Sequence, residues 1–301
     1  MTTLHETKTM KRLELGHIVC PIDLSGQFRS SVTYATAIAR AHKAELRAVH
    51  VVSSEGAASP EGVSSLQHES LMEQLRECLL ETNSAREFIG AAVRQGDPGT
   101  EILEFARRLR ANLIVMGAHG GDRPERPTGP VTSVVVGRSD CPVLTVPPHP
   151  TTPSNELGVF SRVVCAVDLA PSSVSVIRQA LSLAWETEGR LIYTCVLSEG
   201  DSISASQTRD NLLSAIPPEG SRWCDMDISV RRGTPGLEIM RLIAEQRADL
   251  LVIGAPRRWT SNVLAVLRQS PCPVLVTHDA QPLPWPAVTR VSTEAAGGRR
   301  E

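Results

Sequence analysis

The chain of 301 residues lacks the features that would place it in several large classes of protein. It has no apolar run of the roughly 18 residues that a membrane span requires. Residues 1–16 mix charges and have no apolar segment of the kind found in a signal peptide. A net charge of −2 gives no broad electrostatic attraction to nucleic acid or to anionic membranes. We therefore expect a cytoplasmic protein that binds neither nucleic acid nor membrane.

Metal-binding and catalytic signatures are also missing. The seven cysteines form no C-x-x-C pair, and Cys20 and Cys165 lie inside apolar runs. This favours buried thiols in a reducing compartment over disulfides or a metal site. The chain has no G-x-S-x-G, no G-x4-G-K-[S/T] and no H-E-x-x-H, which mark common hydrolases, P-loop proteins and zinc proteases. No catalytic residue and no metal ligand is predicted.

The most informative stretch runs from Leu113 to Val146. A short apolar run ends in glycines at Gly117 and Gly120, a polar loop follows, and a short helix is predicted over Val131–Arg138. A final strand is predicted over Val143–Val146. A glycine at the end of a buried strand, then a loop and a helix N-terminus, is how α/β proteins hold phosphates. Backbone N–H groups and the positive end of the helix face the anion.

The rest of the first half alternates predicted strands with predicted helices. This order favours a parallel sheet with right-handed crossovers and helices on both faces. Pro21 is expected to bend the end of the first strand. The predicted strands are 17–23, 45–52, 87–94 and 112–117, and the predicted helices are 28–42 with Ser25 as N-cap, 61–83, and one that begins at Pro98 with Asp97 as N-cap.

The second half repeats this order in a shortened form. Asp168 follows its first strand as Asp23 follows that of the first half, an offset of 145 (168 − 23). Cys272 repeats Cys141 at an offset of 131 (272 − 141), so about fourteen positions are lost, some of them in the glycine loop. Thr234 takes the N-cap position of Asp97. We predict an N-terminal extension (1–15), two domains (16–147 and 161–278), a linker (148–160) and a disordered tail (279–301).

These features together resemble the universal stress protein family in its tandem two-domain form. The resemblance rests on Asp23 and Asp168, on the Gly-x-Pro start of the third helix, and on the strand–glycine–loop–helix–Cys-Pro-Val-Leu ending. It implies two tandem doubly wound, Rossmann-like α/β domains, each with a five-stranded parallel sheet of order 3-2-1-4-5. It also implies that last strands pair. Here Val143–Val146 and Val274–Thr277 could pair within one chain, and a homodimer is a further option.

ATP-binding members of the family carry G-x2-G-x9-G-[S/T] after the fourth strand. Gly117 and Gly120 fit its opening and Gly129 fits its third glycine, but only eight residues separate the last two. Pro130 replaces the Ser or Thr, which removes one N–H donor and one hydroxyl. A proline at a helix start can also be purely structural. Three neighbouring side chains could replace the hydroxyl: Thr128, Thr132 and Ser133.

The resemblance assigns further roles in a nucleotide site of the first half. Asp23 would accept from the ribose or adenine end, Val51 would pack on the adenine, and Val131 would offer backbone to the phosphates. The second half keeps Gly254 but not the other loop glycines, and there Asp168 is interpreted as a helix cap. The full candidate set is Ile22, Asp23, Val51, Met116, Gly117, His119, Gly120, Gly129, Pro130 and Val131.

Three functions are compatible with the sequence. The favoured one is non-catalytic binding of ATP, with Mg²⁺, in the first half of a stress-response sensor or regulator. The second is a nucleotide-free scaffold that recruits partner proteins, which Pro130 and the shortened second loop support. The third is a slow ATP hydrolase, for which the chain shows no evident general base or metal pair.

Overall fold

The computed structural model describes most of both halves. No helix in the described part of the chain is both long enough and apolar enough to cross a bilayer. The predictions for Ser25, His119, Gly120, Thr128 and the two termini lie outside the described residues. The described ranges are 15–24, 28–53, 64–81, 88–118, 129–150, 160–168, 170, 173–217, 224–255 and 261–278.

Strands and helices alternate along each half. The first half consists of β1 (His17–Pro21), α1 (Arg29–His42), β2 (Glu45–Ser53), α2 (Ser65–Glu81), β3 (Phe88–Gly96), α3 (Pro98–Arg108), β4 (Leu113–Gly117), α4 (Pro130–Arg138) and β5 (Val143–Val146). The second half consists of β6 (Arg162–Ala166), α5 (Ser173–Glu186), β7 (Arg190–Leu197), α6 (Ala205–Ala215), β8 (Asp225–Arg232), α7 (Pro235–Gln246), β9 (Leu250–Gly254), α8 (Ser261–Gln269) and β10 (Val274–Thr277).

One ten-stranded sheet runs through both halves, in the order β3-β2-β1-β4-β5-β10-β9-β6-β7-β8. Each half therefore has the order 3-2-1-4-5, as predicted, and all pairings within a half are parallel. Helices cover both faces, and each face has an apolar core drawn from both halves. This is the doubly wound architecture in which ligands bind at the carboxyl ends of the strands.

The halves meet at the antiparallel pair of β5 and β10, where Leu144 lies opposite Leu275. The Thr145 hydroxyl donates to the Val274 carbonyl across this junction, at 3.3 Å. His278, which follows β10, donates from Nε2 to the carbonyl of Val136 in α4, at 2.8 Å. That carbonyl belongs to the last turn of α4, where helix carbonyls lack a partner along the helix. The second half therefore supports the C-terminal end of α4.

In each half, the residue before the fourth strand forms hydrogen bonds with the start of the first strand, its neighbour in the sheet. Asn112 Oδ1 accepts from the backbone N–H groups of Gly16 and His17, at 2.8 and 2.9 Å. Asp249, which is fully buried, accepts from those of Ser161 and Arg162, at 3.0 and 2.8 Å. These bonds satisfy donors that precede the sheet ladder, and sequence reasoning did not identify them.

The Gly-x-Pro helix starts differ between the halves. Asp97 is the N-cap of α3, and its Oδ1 accepts from the backbone N–H of Thr100 at 2.9 Å, as predicted. Thr234 occupies the N-cap position of α7, but its side chain makes no capping hydrogen bond. Thr234 therefore lies at the predicted N-cap position, but the prediction that its side chain caps the helix was wrong. The preceding Gly96 and Gly233 have φ angles of 148° and 143°, which favour glycine.

Several predicted boundaries were wrong. β1 ends at Pro21 rather than Asp23, and Pro21 pairs in register with Val49 instead of bending the strand. Successive N–H groups point to opposite sides of a strand, and Ile22 donates towards β2. The missing N–H of Pro21 therefore lies on the β4 side, where pairing ends at Val19. Phe28 occupies the N-cap position of α1 and makes no side-chain capping bond, and Ser25, for which that role was predicted, lies outside the described residues. Helix α6 was not predicted at all.

Candidate functional site

A cavity of about 410 Å³ lies at the carboxyl ends of β1 and β4. The direction of strand order reverses between these two strands, and a crevice forms at such a switch point in doubly wound sheets. Eight of the ten candidate residues line this cavity, and the other two, His119 and Gly120, lie outside the described residues. The eight are Ile22, Asp23, Val51, Met116, Gly117, Gly129, Pro130 and Val131.

The N-terminus of α4 forms one wall of the cavity. Gly129 is its N-cap, with an extended ψ of 147°, and Pro130 is the first helical residue. The lost N–H of Pro130 is one that has no partner within the helix in any case. Ser133 makes the first intrahelical bond, to the Gly129 carbonyl at 3.0 Å. The N–H groups of Val131 and Thr132 precede that bond, so they are the donors that this helix end offers.

The hydroxyl of Thr132 has a structural partner. Its Oγ1 donates to the carbonyl of Gly117 at 3.1 Å, and the residue is 3 % exposed. This bond ties the first turn of α4 to the last residue of β4. Thr132 is therefore not a free replacement for the hydroxyl missing at Pro130, and the bond instead fixes the distance between the strand end and the helix N-terminus.

The opposite end of the cavity is formed by the end of β2. Ile22 donates its N–H to the Val49 carbonyl at 2.9 Å, just beyond Pro21, the last residue of β1 that pairs with β2. Because backbone polar groups alternate in direction along a strand, the N–H and C=O of Val51 point to the same side as those of Val49. β1 ends before it reaches the level of Val51 in β2, so these groups have no partner strand on that side and face the cavity.

Two side chains near this end carry titratable groups, Asp23 and His50. Asp23 is exposed at the mouth of the cavity. His50 is half-buried, and its Nδ1 lies 2.8 Å from the carbonyl oxygen of Ile22. Among the described lining residues there is no Lys or Arg, so backbone groups and helix ends are what the described wall offers to an anion.

The described lining of the cavity offers neither a cluster of metal ligands nor an activated thiol. The described residues contain no group of three or more His, Cys, Asp or Glu placed to hold a metal ion. Cys20 lies next to the lining residue Pro21, and burial raises the pKa of its thiol to about 12, an effect that a hydrogen bond with Ser31 reduces in part. A neutral, buried thiol is a poor nucleophile. All seven cysteines are free.

The equivalent place in the second half is organised differently. Asp168 Oδ1 accepts from the N–H of Ala170 at 3.1 Å and from the hydroxyl of Ser173, the first residue of α5, at 2.6 Å. Val176 of α5 lies against Gly254, the counterpart of Gly117. Asp23 and Gly117 line the cavity in the first half. Their counterparts in the second half, Asp168 and Gly254, instead contact residues of α5.

Half of the described cavity wall lies outside the candidate set. Ser31 and His50 are the informative omissions, because the offset of 145 aligns them with Val176 and Cys195 in the second half. A comparison of the two copies could have found both. Thr132, which the sequence suggested as a replacement hydroxyl, also lines the wall, and the residues that sequence reasoning missed are Pro21, Phe28, Ser31, Val49, His50, Pro98 and Ile102.

Comparison with known proteins places the chain in a family. The profile of the Universal stress protein family matches residues 14–147 and again residues 160–278. The chain therefore belongs to the universal stress protein family, and it contains two copies of the family's domain.

Individual relatives agree with this assignment. A universal stress protein of Methanocaldococcus jannaschii is 36 % identical over 136 residues, which is 43 % of this chain and 80 % of the relative. The crystal structure of a universal stress protein from Archaeoglobus fulgidus has a TM-score of 0.69 at 20 % identity, and covers 89 % of this chain and 97 % of its own. A Pseudomonas aeruginosa protein has a TM-score of 0.58 at 17 % identity, over 88 % and 93 % of the two chains. These structural likenesses support the fold.

Proposed function

We propose that the protein binds one adenine nucleotide, of the ATP class, in the cavity of its first half and acts without catalysis as a sensor or regulator in stress responses. One observation carries this proposal. The N-terminus of α4, with Gly129 as N-cap, faces a cavity that has Asp23 at its mouth and the end of β2 at its far side. An anion-binding helix end opposite a carboxylate suits a phosphorylated, hydroxyl-bearing ligand.

The two ends of the cavity suit the two ends of a nucleotide. At the β2 end, the backbone N–H and C=O of Val51 offer a donor and an acceptor beside the apolar side chains of Ile102 and Met116. A flat heteroaromatic base needs such an apolar slot with a few fixed polar groups. At the α4 end, the N–H groups of Val131 and Thr132 would face the phosphates. The volume of about 410 Å³ is within the range of small-molecule sites.

Mg²⁺ would enter with the nucleotide. Asp23 is the one carboxylate among the described lining residues, and a single carboxylate does not form a dedicated cation cage. Mg²⁺ commonly keeps several waters and binds mainly through substrate phosphates. The residues present therefore fit a metal that is carried by ATP, and the metal would neutralise phosphate charge for which the described wall offers no Lys or Arg.

The second half is proposed to act as an internal partner of the first. It pairs through β10 and places His278 on α4, while its own Asp168 and Gly254 are committed to packing. We keep the domain limits 16–147 and 161–278 as part of this proposal. The free cysteines suit a reducing compartment such as the cytoplasm. Pairing of two chains into a homodimer is a further element of the proposal.

Isothermal titration calorimetry of the full chain with ATP and Mg²⁺ tests the proposed function. We expect saturable binding of about one nucleotide per chain, because we propose a site in the first half alone. Asp23→Ala should weaken binding, whereas the matched variant Asp168→Ala should not. No heat of binding at millimolar ATP from folded protein would reject the proposal.

A nucleotide-free scaffold is the second candidate. The observation in its favour is that the described lining residues include one carboxylate, Asp23, and no Lys or Arg. The phosphates of a nucleotide would then be bound by backbone groups alone. In that case ATP would not bind at millimolar concentration, and Asp23→Ala would leave the properties of the protein unchanged.

A further inference from the structure

The ten-stranded sheet has two edges, β3 and β8, because β5 and β10 are paired with each other. An edge strand presents a row of backbone N–H and C=O groups that point away from the sheet, and such a row can pair with a strand of another chain. Natural proteins block these rows with charged side chains or cover them. The side chains beside each row therefore decide what the edge offers to another chain.

The edge of β8 is blocked by side chains. Gly233, just after β8, donates to the Leu197 carbonyl of β7, and since directions alternate along a strand the backbone groups of Ile228 point away from the sheet. Both groups of Ile228 are occupied. Its N–H donates to Asp227 Oδ1 at 2.7 Å, and its carbonyl accepts from the guanidinium of Arg209 in α6 at 2.6 Å. Another strand could bond to Ile228 only by breaking both bonds.

The outer row of β3 is not blocked in this way. Val49 directs its carbonyl to β1, so Ala48 and His50 face β3. In a parallel pair a residue bonds to the two neighbours of the residue opposite it, so Ala91 and Val93, which lie opposite Ala48 and His50, have their backbone groups on the outer side. Among the described residues, none donates to these outer groups or accepts from them. Both residues are partly exposed.

The difference between the edges can be traced to the sequence. Ala91 is the counterpart of Ile228 at the offset of 137 that relates Gly96 to Gly233 (233 − 96 and 228 − 91). In the second half Asp227 supplies the acceptor for the N–H of the next residue. The first half has Gly90 at that position, and glycine has no side chain that could accept.

The composition of β3 suits pairing with an identical strand. Residues 88–93 carry no charge, and Arg94, the one charged residue of β3, donates to Glu101 of its own chain at 2.5 Å. Four of the eight residues of β8 are charged. In an antiparallel pair centred on Ala91, Arg94 lies opposite Phe88 of the second copy (94 + 88 = 2 × 91), so no like charges meet.

We propose that β3 is the surface through which two copies of this chain form a homodimer, as an antiparallel strand pair centred on Ala91. The outer N–H and C=O of Ala91 bond to those of Ala91 in the second copy, and those of Val93 bond to the backbone of Ile89. The contact has the same strand on both sides and closes after two chains. The joined sheet has twenty strands (2 × 10) and ends in the blocked β8 on both sides, which stops further growth.

This inference rests on the proposed function for the existence of a homodimer, and not on nucleotide binding. Sedimentation equilibrium of the full chain without nucleotide is the test. We expect twice the mass of one chain at high protein concentration, and dissociation on dilution. A dimer whose contact lies elsewhere would reject the β3 surface and keep the homodimer. A monomeric chain that binds ATP would reject both and keep the nucleotide site.

A pair of proline variants tests the surface. Ala91→Pro removes the outer N–H and leaves the bonds to β2 in place, and proline is tolerated on edge strands when its missing N–H faces outwards. We expect it to weaken the dimer about tenfold or more, since one hydrogen bond is lost from each copy. The matched variant Val230→Pro, whose N–H also faces outwards but on β8, should leave the dimer unchanged. Thermal unfolding shows whether each variant is folded.

Amide hydrogen exchange of the wild type locates the contact without any substitution. The amides of Ala91 and Val93 should exchange slowly at high protein concentration and faster on dilution, whereas the amide of Val230 should not respond. A dimer that folded Ala91→Pro leaves intact would overturn the proposal. Exchange at Ala91 and Val93 that does not depend on concentration would overturn it as well, even if Ala91→Pro does not fold.

Discussion

Val176 lies directly against Gly254, with its Cγ2 3.0 Å from the point that a Cβ on Gly254 would occupy. Ser31 holds the position of Val176 in the first half, where it and Gly117 both line the open cavity. A branched apolar side chain thus occupies the space next to the strand-end glycine in one half, and a small one leaves it accessible in the other. This contrast underlies the assignment of a single nucleotide site to the first half.

The first prediction introduces the valine of the second half at the corresponding position of the first half. Ser31→Val should weaken ATP binding about tenfold, ~1.4 kcal/mol, because the added methyl group enters the space beside Gly117. The measurement is a calorimetric titration of the full chain. Ser31→Ala is the control for the bond that the Ser31 hydroxyl donates to the Phe28 carbonyl at 2.8 Å. If the alanine variant loses as much affinity as the valine variant, lost bonding rather than filled space is responsible, and the prediction fails.

The second prediction concerns the two helix starts. Asp97→Ala should lower the free energy of unfolding by about 1 kcal/mol, the usual cost of an N-cap, whereas Thr234→Ala should change it little because Thr234 makes no side-chain capping bond. Urea denaturation of both variants at neutral pH is the measurement. Equal destabilisation by the two substitutions would show that the caps do not differ as described.

The third prediction gives the pH dependence of the Asp97 cap. Hydrogen bonds from the side chain and the backbone of Thr100 hold the pKa of Asp97 below its ordinary value. A carboxyl whose folded-state pKa is lowered stabilises the protein above the unfolded-state pKa, and this contribution is lost as pH falls through the folded-state pKa. The stability difference between wild type and Asp97→Ala should therefore be full at neutral pH and shrink below about pH 4. A difference that stayed constant down to pH 2 would contradict this.

The fourth prediction concerns the fully buried Asp249. Asp249→Leu should cost about 3 kcal/mol or more, because it leaves the N–H groups of Ser161 and Arg162 without their acceptor. Asp249→Asn should cost less, since Asn112 performs the same task in the first half with an amide oxygen. The midpoints of urea unfolding decide between these expectations. A larger loss for asparagine than for leucine would show that acceptance of these hydrogen bonds does not govern this position.

The fold followed from local patterns. Alternating apolar runs and helical periodicity indicate a parallel sheet with helices on both faces, and the ten-stranded sheet has the strand order that the family resemblance implied. Asp97 and Pro98 marked a helix start because capping depends on three or four adjacent residues. Helix α6 escaped notice because two of its eleven residues are buried, so its apolar pattern is weak.

The site was less predictable because its decisive features are tertiary. Pro21 stays in its strand because the N–H it lacks is on the side where β4 pairing has ended, which depends on the lengths of three strands. Thr132 is engaged by a carbonyl fifteen residues away. His50 is one polar residue in a strand, and its contact with the carbonyl of Ile22 exists only in the folded sheet.

The most direct test of a single nucleotide site in the first half is photoaffinity labelling of the full chain with azido-ATP, followed by identification of the labelled peptides by mass spectrometry. The account predicts label on peptides that contain the ends of β2 or β4, near Val51 and Met116, and loss of that label when unmodified ATP is added. Competed label on peptides around Val196 or Ile253, the counterparts in the second half, would contradict it.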